Sequence, residues 1–135
     1  MIKFTTTVNA SIEKVWTHLI NKIEHPENFV PGVSNVIISE KNEKFVIRQM
    51  TVTTPESTTI LKEKITFVSY KVRFLLLEHP NMEGFVDNEV RKISENESEL
   101  TFTIDWIDKI SKKEINNQEL LKNAVLKTKT FIEEN

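Results

Sequence analysis

Side chains capable of acid–base, nucleophilic or metal chemistry are sparse in this sequence of 135 residues. The three histidines, His18, His25 and His79, do not have the His-Glu-x-x-His spacing of zinc enzymes, so we expect no zinc site. No serine lies in the Gly-x-Ser-x-Gly elbow of a serine hydrolase. Because the chain contains no cysteine, thiol nucleophiles, disulfides and thiolate metal sites are excluded. We therefore expect neither a metal nor another cofactor.

Glycine content and charge exclude further classes of partner. Gly32 and Gly84 are too far apart to form a dinucleotide-binding fingerprint or a Walker-type phosphate loop. Acidic residues outnumber basic residues by 20 to 18, which argues against nucleic acid as the partner. Met1–Val8 is too short and polar for a signal peptide, and no apolar run approaches the ~18 residues of a membrane span. We therefore expect a cytoplasmic protein, and the bias toward Lys, Ile, Asn and Glu favours a bacterial source.

Three polar residues, Arg48, Glu63 and Asn88, fall on the inward faces of predicted strands. In one interpretation they orient the polar end of a ligand whose remainder is apolar. In the other, Arg48 and Glu63 pair with each other, as opposite charges on facing strands do. Asn88 is harder to explain by packing alone, because a buried amide needs hydrogen-bond partners. Acid–base chemistry by Glu63 or Arg48 would require that burial shifts a pKa.

The elements that must position these residues follow from hydrophobic periodicity. Alternation over Met1–Val8 predicts a strand, and helical spacing from Ile12 to Ile23 predicts a helix that Asn9 or Ser11 caps and Pro26 ends. Six further strands are predicted over 33–40, 44–53, 59–67, 70–77, 83–94 and 98–107. Their short polar connections predict antiparallel pairing.

A second, C-terminal helix is predicted from a capping box of Ser111 and Glu114 and from an apolar stripe. The stripe comprises Leu121, Ala124, Val125, Thr128 and Ile132. The length fits one domain, 1–135. The element order predicts an α+β fold with a seven-stranded curved antiparallel sheet around the long C-terminal helix and an internal cavity between them.

Centring each turn predicts the register of the sheet. The expected pairs are Val46 with Ile65, Ile65 with Val72, Val72 with Val90, and Val90 with Phe102. The same register places the polar candidates in one row across the sheet, with Arg48 opposite Glu63, Glu63 opposite Phe74, Phe74 opposite Asn88, and Asn88 opposite Ile104. All apolar sets then face the same side, as hairpin geometry requires.

Several motifs resemble known proteins. The N-terminal pattern V-x-A-x-x-E-x-V-W-x-x-L, from Val8 to Leu19, is similar to the start of the START/Bet v 1-like (SRPBCC) superfamily, as are the strand meander and the final helix with Ala124 and Val125. Within that superfamily, Phe29-Val30-Pro31, Glu63-Lys64-Ile65-Thr66 and the stretch from Gly84 to Val90 look like the AtaL-like family. The similarity covers essentially the whole chain.

This resemblance implies a helix-grip fold with a deep cavity between the curved sheet and the C-terminal helix. Superfamily members bind lipids, sterols, polyketides and plant hormones; others are cyclases, dehydratases, parts of oxygenases or Hsp90 co-chaperones. The AtaL-like branch offers no shared catalytic motif to carry over to positions in this chain. The fold alone therefore does not settle the function.

The first hypothesis is binding of a small hydrophobic or amphipathic molecule. The candidate ligand-binding residues are Arg48, Glu63, Phe74, Asn88, Ile104, Trp106, Leu121 and Val125. A cyclase or aromatase-like enzyme in the same pocket, and a co-chaperone or stress-response interaction module, are the alternatives. A closed pocket facing Arg48 would favour ligand handling, and a Glu63 near but not locked to Arg48 would favour an enzyme. The edge of the N-terminal strand would allow a homodimer.

Overall fold

The computed structural model describes residues 1–135 and has two helices and seven strands. Its elements are β1 (Ile2–Val8), α1 (Ile12–Glu24), a short 3-10 turn (Pro26–Asn28), β2 (Val33–Lys41), β3 (Phe45–Thr53), β4 (Thr58–Val68), β5 (Lys71–Glu78), β6 (Met82–Ser94), β7 (Glu97–Asp108) and α2 (Gln118–Glu134). All strands join one curved antiparallel sheet in the order β1-β7-β6-β5-β4-β3-β2. The predicted α+β architecture is confirmed, as are the strand limits to within about one residue.

Helix α1 begins and ends where the sequence predicts. The Ser11 hydroxyl accepts a hydrogen bond from the backbone N–H of Lys14 at 3.2 Å, which satisfies one free donor of the first turn. His25 ends the helix, and Pro26 starts the 3-10 turn that follows. Phe29, just after that turn, is buried and fixes the connection against the core.

The predicted capping box of Ser111 and Glu114 is wrong. Helix α2 begins six residues later, where the Asn117 side chain accepts a hydrogen bond from the backbone N–H of Leu120 at 3.0 Å. The Asp108 carboxylate instead accepts the backbone N–H of Ser111 and forms a turn. The chain then runs beside β7, with Glu114 bridged to Ile107, so this stretch is extended rather than helical.

The sheet register differs from the prediction in three of the four hairpins, although the inward faces are correct. Val46 does face Ile65, and Arg48 does face Glu63. Elsewhere Ile65 faces Phe74 instead of Val72, Val72 faces Asn88 instead of Val90, and Val90 faces Leu100 instead of Phe102. In the predicted polar row, Glu63 faces Leu76 instead of Phe74, Phe74 faces Val86 instead of Asn88, and Asn88 faces Phe102 instead of Ile104. The prediction of a single row is therefore wrong, because Glu63 and Asn88 face positions of β5 that are four residues apart, Leu76 and Val72.

Each of these offsets equals two residues, which explains why the faces survive. Side chains alternate along a strand, so a shift of two keeps every residue on its side of the sheet. The cause lies in the connections between strands. The turn from β4 to β5 contains only Ser69 and Tyr70, with Tyr70 at φ 67°, and a bulge after Lys92 shifts β6 against β7.

The inward face of the sheet carries two apolar clusters. The larger one contains residues of both helices and most strands, including Leu121 and Val125 of α2. The smaller one is formed by Met50, Leu61 and Leu76 at the opposite end of β3, β4 and β5. Neither helix combines the length and apolar character needed to cross a membrane.

Candidate functional site

An ion pair between Arg48 and Glu63 lies at the boundary of the two apolar clusters. On β3, Arg48 stands between Val46 of the larger cluster and Met50 of the smaller one. Its Nη2 donates to Glu63 Oε1 at 2.6 Å, and the two side chains are only 2% and 5% exposed. The pairing interpretation is therefore observed. A carboxylate held in this way does not meet the condition that favoured an enzyme.

The same guanidinium fastens α1 to the sheet. Arg48 Nη1 donates to the backbone carbonyls of Lys22 at 3.2 Å and Ile23 at 2.9 Å, in the last turn of the helix. Carbonyls at a helix C-terminus have no partner within the helix and carry partial negative charge, so a cation there is stabilising. Helix α1 thus directly contacts Arg48, whereas the sequence pattern predicts that the C-terminal helix covers this part of the sheet.

Lys22 joins these polar residues in the interior, although the sequence pattern does not single it out as a candidate. Its ammonium Nζ donates to Asn88 Oδ1 at 2.6 Å and lies 4.2 Å from the Phe102 ring centroid and 5.3 Å from that of Phe74. The pKa of Lys22 is lowered from 10.5 to about 7. Burial is the largest cause, the nearby Arg48 charge also lowers the pKa, and the Glu63 charge opposes the shift. Lys22 is thus a buried amine that titrates near neutral pH.

A signal for Lys22 was present in the helical spacing. Lys22 follows Val15 by seven positions and Leu19 by three, so it falls on the inward stripe of α1. A lysine on that stripe must either reach solvent with its flexible stem or be paired inside. In this protein it is 5% exposed and paired inside.

Three buried nitrogen atoms have no hydrogen-bond partner in the protein. They are Arg48 Nε, Asn88 Nδ2 and Trp106 Nε1, and all three are N–H donors. The Asn88 amide orientation follows from chemistry, since an ammonium can only donate and must face the amide oxygen. The interior around Arg48, Lys22 and Asn88 consequently offers donors that nothing in the chain satisfies.

The other predicted site residues lie around Arg48, Lys22 and Asn88. Phe74 lies beneath Arg48, with 5.2 Å between its ring centroid and the guanidinium carbon. Trp106 packs against both apolar clusters and lies 6.4 Å from the buried ring of His79, measured between ring centroids. Ile104 belongs to the larger cluster, as do Leu121 and Val125 of α2, a helix that mainly contacts β1, β7 and α1.

Two of the depressions on the molecule lie away from Arg48, Glu63 and Asn88. One, of about 310 Å³, is lined by residues of β4 and β5 including Phe67 and Arg73. The other, of about 420 Å³, lies along α2 and includes Phe131. Neither of these two depressions is lined by Arg48, Glu63 or Asn88. No three histidine, aspartate or glutamate side chains are close enough together to hold a metal ion.

The architecture defines a class of protein. A curved seven-stranded antiparallel sheet with a long C-terminal helix is the helix-grip fold of START/Bet v 1-like proteins. Residues 2–133 match the family model AtaL, described as acetylaranotin biosynthesis cluster protein L, and the chain belongs to that family. No curated protein sequence matches the chain significantly.

Solved structures confirm the fold at low sequence identity. The chain resembles the Zhui aromatase/cyclase from Streptomyces sp. R1128, with a TM-score of 0.73, 16% identity and coverage of 98% of this chain and 88% of that one. A START superfamily protein from Mycobacterium smegmatis has a TM-score of 0.73, 12% identity and coverage of 98% and 94%. Major latex-like protein 151 from Panax ginseng has a TM-score of 0.72, 14% identity and coverage of 98% and 94%.

Proposed function

We propose that this protein binds a small, mainly apolar molecule between the sheet and the helices, with the polar end of the ligand at Arg48, Glu63 and Asn88. The observation that carries this proposal is the fully buried Asn88 amide, whose nitrogen has no partner in the chain. An unsatisfied buried donor costs roughly 1–3 kcal/mol, which a bound acceptor would recover.

Packing alone explains two of the three polar residues, Arg48 and Glu63. The Arg48–Glu63 pair and the contacts of Arg48 with α1 explain those two residues as structural. Asn88 is not explained in this way. A leucine at position 88 would fill the same space without leaving a buried N–H donor unpaired. The remainder of the ligand would contact the apolar candidate residues around Arg48, Glu63 and Asn88. These are Phe74, Ile104, Trp106, Leu121 and Val125.

Native mass spectrometry of protein purified from its own host tests the proposal directly. We expect a small molecule retained by the folded protein and released on denaturation. The Asn88→Leu variant should retain much less of it, while Glu89→Gln, a change on the opposite face of the same strand, should retain as much as wild type. A retained ligand unaffected by Asn88→Leu would remove Asn88 from the site. Protein that is free of ligand from every source would contradict the proposal.

Catalysis in the same site is the second candidate, and Lys22 is the observation that favours it. A group whose pKa is about 7 is well suited to proton transfer at neutral pH. The aromatase/cyclase among the similar structures is compatible with this candidate, although a likeness at 16% identity concerns the fold only. Incubating a retained molecule with wild type and with Lys22→Met would distinguish an enzyme, which changes the mass or the absorption spectrum of the molecule, from a binding protein, which does not.

A further inference from the structure

The polar group buried beneath α1 has an excess of positive charge and of donors. Lys22 and Arg48 contribute two cationic groups and Glu63 one anionic group, all in the interior. The unpartnered atoms nearest to them, Arg48 Nε and Asn88 Nδ2, are both donors. An incoming group that accepts hydrogen bonds and carries one negative charge would balance both excesses.

We propose that the ligand presents a singly charged anionic oxygen group, such as a carboxylate or phenolate, to Lys22, Asn88 and Arg48. This inference rests on the proposed function and specifies the chemistry of the ligand. Arg48 cannot supply the charge alone, because Glu63 already neutralises it at 2.6 Å. Lys22 is therefore the anion-binding residue, and Asn88 Nδ2 is the neutral donor beside it.

The surroundings of Lys22 make its charge depend on the ligand. The charged groups that face it are Arg48 on β3 and Glu63 on β4, and the remaining neighbours are the Asn88 amide and the rings of Phe74 and Phe102. Burial keeps its pKa near 7, and a negative charge at hydrogen-bond distance raises the pKa of an ammonium group. Binding of an anion near neutral pH should consequently be accompanied by proton uptake.

Two fluorescent probes with one aromatic skeleton test this proposal. 8-Anilinonaphthalene-1-sulfonate carries one anionic oxygen group that stays charged across the pH range, and N-phenyl-1-naphthylamine is the same molecule without it. Fluorescence titrations at pH 6 and pH 9 would give both dissociation constants. We expect wild type to prefer the sulfonate by roughly tenfold or more at pH 6, as for a charge-assisted hydrogen bond, and to lose most of that preference at pH 9.

Variants assign the preference to Lys22. In Lys22→Met the sulfonate should bind roughly tenfold more weakly while the neutral probe binds as in wild type. Lys122→Met removes an exposed lysine of α2 and should change neither constant. If Lys22→Met does not fold, calorimetry of wild type in two buffers of different ionisation enthalpy replaces it, with proton uptake expected for the sulfonate only.

The outcomes separate this inference from the proposed function. Equal binding of both probes to wild type, or a sulfonate preference that persists in Lys22→Met, would overturn the anionic ligand class and leave interior ligand binding intact. If neither probe binds, the interior site itself is contradicted, and with it this inference.

Discussion

Lys22 Nζ donates a 2.6 Å hydrogen bond to Asn88 Oδ1 across 66 positions of sequence, with both residues buried. This contact joins the last turn of α1 to the centre of β6. Arg48 completes the connection by donating to the backbone carbonyl of Lys22 itself. The C-terminal turn of α1 is therefore hydrogen-bonded to both Arg48 and Asn88. The free energy of unfolding should depend on the charges of Lys22, Arg48 and Glu63.

The pH dependence of stability should show the titration of Lys22. Its pKa is about 7 in the folded state and near 10.5 when unfolded, so between these values the unfolded chain binds more protons than the native protein. The free energy of unfolding should therefore rise with pH from about 7 to about 10, with a slope approaching ~1.4 kcal/mol per pH unit from this group. Below pH 7 the contribution is constant, since Lys22 is charged in both states.

Urea denaturation of wild type and Lys22→Met across pH 6 to 10 measures that contribution. Other titrating groups affect both proteins alike, so the difference between the two curves isolates Lys22. Parallel curves would show that Lys22 is not held with a lowered pKa in the folded protein.

The buried ion pair should show strong energetic coupling. Arg48→Met alone removes the hydrogen-bonded cation of the buried Glu63 carboxylate and should cost about 3–5 kcal/mol. The double variant Arg48→Met/Glu63→Met should be more stable than the sum of the single effects by ~1–3 kcal/mol. The exposed pair Arg91–Glu99 is a matched control whose coupling should stay below ~1 kcal/mol. Additive effects at Arg48 and Glu63 would be inconsistent with the pair in the structure.

Gly84 should tolerate no side chain. It lies opposite Trp106 with φ 123°, a conformation that L-residues rarely adopt, and a Cβ there would collide with the backbone carbonyl of Asp105. Gly84→Ala should lower the free energy of unfolding by at least ~2 kcal/mol. It should also change the fluorescence emission of Trp106, the residue that faces Gly84. Glu89→Ala, on the same strand, should stay within ~0.5 kcal/mol of wild type. An effect of Gly84→Ala equally small would contradict this backbone geometry.

The start of α2 can be located by two alanine substitutions. Asn117→Ala removes the side chain that accepts the Leu120 N–H and should cost ~1 kcal/mol in thermal or urea unfolding. Ser111→Ala, at the residue that the sequence pattern favoured, should cost less than ~0.5 kcal/mol because it caps no helix. The reverse order of effects would place the helix start at Ser111.

Local pattern predicted most of the fold because each signal is carried by neighbouring residues. Alternation in β7, with Leu100, Phe102 and Ile104 inward, identified the buried face without any partner strand. The register required more, since a two-residue turn at Ser69–Tyr70 and a bulge after Lys92 depend on how strands meet. Ser111 and Glu114 have the spacing of a capping box, but Asp108 accepts the Ser111 N–H that such a box would use, and this competition decided against it.

The sequence by itself determined the α+β architecture, the inward faces and the position of Arg48 opposite Glu63, because side-chain alternation and hairpin order are local properties. Whether the two charges pair with each other was decided by the tertiary structure. Only the tertiary structure decided that α1 covers the buried polar residues and that Lys22 donates a hydrogen bond to Asn88. Helical spacing places Lys22 on the inward stripe of α1, but it does not tell whether the ammonium reaches solvent or is paired inside. Its burial, and the lowered pKa that follows, arise from groups on β3, β4 and β6 that folding alone brings to it.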